Sequence, residues 1–200
     1  RAAVQARLAG TPRGVVPARG QIDPKERIGL FKKMAEGAFA SVAIVASATE
    51  VPAEAARWLR DNNLPATLRM GEDLRLAAMP WGETAIETAH GPSDGHDLNA
   101  VSHAFAGVAE SGTLIMTSGP ENPSTLNFLP DNHVVVLSAG DLAGDYESVF
   151  DRLRSTYGKD RMPRTVNMIT GPSRSADIGQ TMLLGAHGPR KLHIVIVDAG

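Results

Sequence analysis

The segment Thr170-Gly171-Pro172-Ser173-Arg174-Ser175-Ala176-Asp177-Ile178 is the richest in groups that can do chemistry. It follows an apolar run and reads as a turn that enters a helix near Ser175. A strand, a glycine turn and a helix start together present free backbone N–H groups to an anion. Ser173 adds a hydroxyl, and Arg174 adds a bidentate donor for carboxylate or phosphate. Asp177 falls in the first turn of that helix, where the macrodipole favours a carboxylate. The plainer reading is a capped surface helix with Arg174 paired to Asp177.

Three further segments carry titratable groups. In Ala109-Glu110-Ser111-Gly112-Thr113, the glutamate precedes a glycine turn and an apolar run; if buried it is a general base or a substrate ligand, and otherwise a turn residue in water. In Leu129-Pro130-Asp131-Asn132-His133, the histidine opens a Val-rich run, where it can exchange a proton near neutral pH or simply be hydrogen-bonded at a sheet edge. In Gly185-Ala186-His187-Gly188-Pro189, His187 sits in a glycine-flanked loop, which either displays the ring or only makes the turn. His90, His96, Asp97 and His103 match no zinc-ligand spacing, so no metal site is expected. His193 alternates within the last strand and reads as structural.

The elements that must position these residues can be read from periodicity. Residues 1–22 read as an extended, partly mobile arm, and 23–200 as one domain. Asp23, Pro24 and Glu26 mark a helix start, followed by Ile28, Phe31, Met34, Ala35 and Ala38 on one face. Ser41–Ser47 reads as a buried strand, Pro52–Asn62 as a helix, and Ala66–Met70 as another strand. Thr84–Ala89, Val101–Phe105, Thr113–Ser118 and His133–Ser138 also read as strands, the last of them central, with Ala106–Gly112 a connection. Asp141–Tyr157 keeps helical spacing. Thr165–Thr170 and Leu192–Val197 complete the strands, with a Gly-rich loop and a short helix between them. The β-α-β alternation predicts an α/β fold with a mostly parallel sheet covered by helices.

Composition bounds the rest. The 200 residues carry 20 basic and 22 acidic side chains, and 42% are hydrophobic, which excludes disorder. Near-neutral charge and 4% aromatics argue against a nucleic-acid partner. No apolar run is long enough to span a bilayer. With no cysteine, these residues cannot supply a disulfide, a thiolate nucleophile or a Cys-ligated cluster. A cytoplasmic location is expected. The dinucleotide, P-loop and nucleophile-elbow glycine patterns are absent.

Taken in order, AESGT at Ala109–Thr113, Leu-Pro-x-x-His at Leu129–His133, GPSRSADI at Gly171–Ile178 and LGAHGP at Leu184–Pro189 resemble the lactate-utilization (LUD) domain family, in particular its C type. The likeness covers residue 100 to the end. It implies a three-layer α/β/α sandwich similar to the NagB/RpiA/CoA transferase-like fold. It also implies a part in oxidation of L-lactate to pyruvate beside partner proteins that carry iron–sulfur clusters, this chain having no cofactor of its own. The family pattern picks out Glu110, His133, Asp177 and His187 as catalytic candidates. It picks out Gly112, Thr113, Gly171, Ser173, Arg174 and Gly188 as contacts to a small carboxylate or other anion. Those segments are expected to converge on one cleft. The chain departs from the pattern at Gly179, where an acid is expected, and in Asn122–Phe128, which lacks an arginine.

The same residues are open to two other readings. One is a stand-alone isomerase or CoA transferase that holds a sugar phosphate or CoA ester, with Glu110 as base or nucleophile. The other is a non-catalytic scaffold or regulatory subunit.

Overall fold

The structure is a computed structural model. It describes the backbone of residues 2–10, 15–158, 161–178 and 181–199, and the side chains of these except 7–9 and 176–184.

The chain begins with α1 (Ala2–Ala9), a helix where composition predicts an extended arm. Asp23 then caps a short 3-10 turn at Pro24–Glu26 by accepting from the Lys25 N–H at 2.9 Å, and the turn runs into α2 (Arg27–Gly37). Strand β1 (Ser41–Val45) leads to α3 (Val51–Asp61), whose Val51, Ala55, Trp58 and Leu59 recur at helical spacing and are buried. Then come β2 (Thr67–Met70), α4 (Leu74–Ala77), β3 (Glu87–His90) and β4 (Asn99–His103). Next are β5 (Ala106–Val108), β6 (Thr113–Thr117), β7 (Asn132–Ser138), β8 (Leu142–Ala143) and α5 (Tyr146–Tyr157). The chain closes with β9 (Val166–Ile169), β10 (Arg174–Ile178), β11 (Thr181–Leu184) and β12 (Lys191–Val197).

Six strands form a wholly parallel sheet in the order β1-β12-β7-β4-β2-β3. In β7 the side chains alternate between two cores: Val134 and Val136 join the core under α3, and Val135 and Leu137 join the one under α2. Burial on both faces is why this strand is a continuous apolar run. Each fully buried Val or Leu contributes roughly 1.5–3 kcal/mol relative to exposure. The fold is thus the expected α/β arrangement of a parallel sheet flanked by helices. On the α2 face, a four-stranded sheet β8-β5-β6-β9 shares the covering layer, with α5 outside it through Val149 and Leu153.

Four local expectations are corrected. Ser41–Val45 is an edge strand with one buried residue, Val45, because it pairs with β12 alone. Ala106–Val108, read as a connection, is a fully buried strand. The last long helix starts at Tyr146, since Asp145 caps it there and accepts from Ser148 N–H at 2.7 Å, while Leu142 lies in β8. Most consequential, the short helix expected after Thr170 is an antiparallel hairpin, with Arg174 opposite Leu184 and Ser175 opposite Leu183. Too few residues separate the two turns for a helix to bury a face, whereas two strands complete each other's hydrogen bonds.

Candidate functional site

Glu110 follows β5 and is buried, 2% exposed. Its backbone N–H donates to the Gly144 carbonyl at 3.0 Å. The turn that holds it closes at Gly112, whose φ of +68° suits glycine and whose missing side chain lets α2 approach at Ala35. Glu110 Oε2 has no hydrogen-bond donor among the described residues. Among the described residues the nearest cation is Arg19, with Nε at 3.6 Å, and its side chain is 65% exposed. A buried carboxylate thus faces a solvent-reaching guanidinium at a distance too long for a hydrogen bond.

Beside Glu110 lies a cluster of hydroxyls. Ser111 Oγ contacts Thr113 Oγ1 at 2.7 Å and donates to Tyr146 Oη at 2.9 Å. Thr113 Oγ1 also reaches Tyr146 Oη and Thr170 Oγ1, each at 2.7 Å. This last bond ties the AESGT turn to the segment that contains Gly171. Gly171, at φ +71°, in turn packs against the carbonyl of Ala38 at the end of α2. Both Gly112 and Gly171, expected as ligand contacts, therefore meet the backbone of α2.

The other predicted segments join this group through the backbone. Ser173 N–H donates to the Pro189 carbonyl at 2.8 Å, Gly185 N–H to the Ser173 carbonyl at 3.0 Å, and His187 N–H to Ser173 Oγ at 3.2 Å. Gly188 lies against Ser173 and Phe128. The four motifs are neighbours in space, and among their described side chains Glu110 and His133 are buried while Arg174 and His187 are exposed. His187 is exposed on its loop. Arg174 is exposed and stacks its guanidinium over the Phe39 ring at 4.4 Å. Arg174 opens β10, so the helix N-terminus expected to receive an anion there does not exist. Asp177 is on the same strand and not in a helical turn; its side chain lies outside the described residues.

His133 does not suit a proton-transfer role. It is 0% exposed, its Nε2 meets Ser102 Oγ at 3.0 Å, and burial pushes its pKa down to about 3. It is neutral and sealed from solvent at physiological pH.

Among the residues that motif reading misses are Arg19 and Tyr146. Nothing local marks them, because contacts between distant chain segments bring them to Glu110. A cavity of about 560 Å³ at the C-terminal ends of β2 and β4 was also missed, where open α/β sheets commonly bind ligands. Of its charged lining groups, Asp73, Arg75 and Arg152 are held in ion pairs, the last with Asp141 outside the lining, and Glu121 also faces the cavity. Arg75 donates to Asp73 from Nε at 3.0 Å and from NH2 at 2.5 Å, and Arg152 donates to Asp141 at 2.5 Å. Burial, and then the charge of Arg75, hold the His103 pKa below its ordinary value.

The LUD domain model matches residues 99–197, which contain Glu110, the hydroxyl cluster and the loops that meet at Ser173. Lactate utilization protein C of Anoxybacillus flavithermus is 34% identical over 64% of this chain and 54% of its own length. That of Shouchella clausii is 32% identical over 46% and 40%. An uncharacterized protein of Neisseria meningitidis serogroup B is 35% identical over 48% and 40%. The chain thus spans about half the length, or less, of these curated relatives. A solved DUF162 family protein from Deinococcus radiodurans shares the fold, with a TM-score of 0.65 over 88% of this chain and 99% of that one at 16% identity. Over residues 99–197, about half its length, this chain belongs to the LUD domain family.

Proposed function

We propose that this chain is a subunit of a cytoplasmic system that oxidises L-lactate to pyruvate, with the iron–sulfur clusters on partner proteins. The observation that carries the reading is the LUD match over residues 99–197 together with relatives named lactate utilization protein C. The residues in hand do not fit a thiolate-held cluster, since none of the 200 is cysteine. Glu110 and Arg19 are the pair suited to a 2-hydroxy acid. Arg19 takes the carboxylate, replacing its loose 3.6 Å pairing with Glu110 by a direct one. Glu110 Oε2, which has no donor of its own among the described residues, accepts the hydroxyl proton as C2 becomes a carbonyl. The hydrogen on C2 leaves with its two electrons, as a hydride equivalent, to an acceptor outside this chain. The Ser111–Thr113–Tyr146–Thr170 hydroxyls hold the turn that carries Glu110.

Growth on lactate of a strain deleted for the gene tests this. Wild type restores growth and Glu110→Gln does not, although it stays folded; normal growth with Glu110→Gln overturns the assignment. Arg19→Ala and Arg174→Ala separate the two candidate carboxylate holders. A thermal shift with lactate or pyruvate that is lost in Arg19→Ala and kept in Arg174→Ala supports the buried site. The reverse moves the ligand to the Ser173–Arg174–His187 loops. At 100 times its dissociation constant, a ligand stabilises by about 2.7 kcal/mol, well within reach of such a measurement.

A further inference from the structure

We propose that Ser41, His193 and Glu54 form a nucleophile–base–carboxylate relay, and that the cavity in front of Ser41 binds and hydrolyses small carboxylic esters bearing an anionic group. Ser41 and His193 stand opposite each other in the parallel β1–β12 pair. Ser41 Oγ lies 2.8 Å from His193 Nδ1, and His193 Nε2 lies 3.1 Å from Glu54 Oε1 on α3. These are the two hydrogen bonds that such a relay requires: nucleophile to base, and base to its orienting carboxylate.

The neighbours fix the direction of both bonds. The Trp58 indole N–H is only a donor, and it donates to Ser41 Oγ at 3.1 Å. The proton of Ser41 is then left to point at His193 Nδ1, the competing Leu192 carbonyl being longer at 3.4 Å. Nδ1 is therefore unprotonated, and the ring proton sits on Nε2 and donates to Glu54. Arg57 holds the carboxylate from its other side, with Nε donating to Oε2 at 2.7 Å and NH2 to Oε1 at 2.5 Å. Burial raises the Glu54 pKa, but the hydrogen bonds and charge of Arg57 outweigh it and keep the group ionised. Trp58 also stacks on the His193 ring, centroids 5.0 Å apart and planes at 10°, which locks the ring orientation.

The base is sealed while the nucleophile is open to solvent. Ser41 is exposed, whereas His193 is 1% exposed. Ser41 opens onto a cavity of about 480 Å³ lined also by Phe39, Arg57, Arg190 and Lys191, with Asp61 the one acid among its lining residues. Lys191 Nζ donates to Asn62 Oδ1 at 2.7 Å. An ammonium has three donors, so two more can serve an anion. Arg57 is paired with Glu54 and Asp61, and Arg190 lies 3.6 Å from Asp131, so the Lys191 ammonium is the cation that selects an anionic ester.

In the reaction, Ser41 Oγ bonds to the ester carbonyl carbon and its proton passes to His193 Nδ1, with Glu54 stabilising the charged ring. The C–O bond to the alcohol breaks and the alcohol leaves with that proton. Water then adds to the acyl group, again giving a proton to Nδ1. The acid is released, and Ser41 recovers its proton.

The purified chain treated with a fluorophosphonate probe tests the relay. The expected result is one adduct by intact mass, mapped to Ser41 and absent in Ser41→Ala. Glu54→Gln is expected to slow labelling by about tenfold or more with helicity retained. p-Nitrophenyl hemisuccinate is expected to turn over faster than p-nitrophenyl acetate. No adduct at Ser41, equal rates in Glu54→Gln and wild type, or a preference for the neutral ester overturns the proposal; the first two reduce the network to an anchor between α3 and the sheet edge. If Glu54→Gln fails to fold, wild type against Ser41→Ala decides. Lactate growth does not enter this test, so its outcome is independent of the lactate reading.

Discussion

Gly20 and Gly144 cross with their backbones in contact, and a methyl group at Gly144 would overlap the Gly20 carbonyl oxygen. This crossing holds Arg19 over Glu110, because the Glu110 N–H donates to the carbonyl of the same Gly144. Gly144→Ala is expected to destabilise by about 1–3 kcal/mol through overpacking against backbone. It should also release the arm, seen as faster limited proteolysis before residue 23. In Gly20→Ala the nearest atoms are at 2.9 Å, so the effect should be smaller. Equal effects would mean that the crossing does not seat the arm.

Gly112 and Gly171 hold the two halves of the site against α2. An alanine at either would meet both a positive φ and the backbone of α2. The expected cost is roughly 2–5 kcal/mol, combining left-handed strain and overpacking. Gly29→Ala is the control. It is an exposed glycine within α2 with open space around its Cα, so it should stabilise by about 0.5–1 kcal/mol. Urea unfolding of the three variants checks both signs.

Tyr146→Phe removes one oxygen from a cluster in which Ser111 and Thr113 both depend on it. A loss of about 1 kcal/mol is expected. Fold is retained, but the Glu110 turn is less well held, so lactate-dependent growth should weaken more than stability does. Full growth with the same loss of stability would make the cluster purely structural.

Acid should destabilise the protein through its buried histidines. In the unfolded chain a histidine takes up a proton as pH falls through about 6.5. In the folded chain burial keeps His133 neutral down to about 3, and His193 down to about 4 although Glu54 opposes the shift. Below about 6.5 the unfolded state binds more protons, so stability falls with pH until the folded values are reached. At pH 5 His133 alone costs about 2 kcal/mol relative to neutral pH. Urea unfolding at pH 7 and pH 5 should show this drop, and His133→Asn should reduce it by about that amount. An unchanged drop in the variant would remove His133 as its source.

Much of the fold is legible in the residues. The Val-rich 133–138 run had to be a doubly buried strand, since no other element hides consecutive β-branched residues on both sides. The stripe of Ala55, Trp58 and Leu59 within Pro52–Asn62 reads as a helix over a sheet, because a 3.6-residue period brings those positions onto one face. Glu110 was also legible as a candidate, through its place before a glycine turn in a motif of the LUD type. At 170–178 the local signals misled. A Gly-Pro-Ser turn followed by Ser-Ala-Asp serves a helix cap or a strand equally well, and pairing with Thr181–Leu184, which is not local, made it a strand.

Tertiary structure alone decided which polar groups meet. Arg19 reaches Glu110 only because two glycines let the arm cross the segment before α5. Ser41, His193 and Glu54 come from an edge strand, the strand beside it and a helix packed over both. Their union depends on strand order in the sheet, and residue spacing along the chain carries no record of that order.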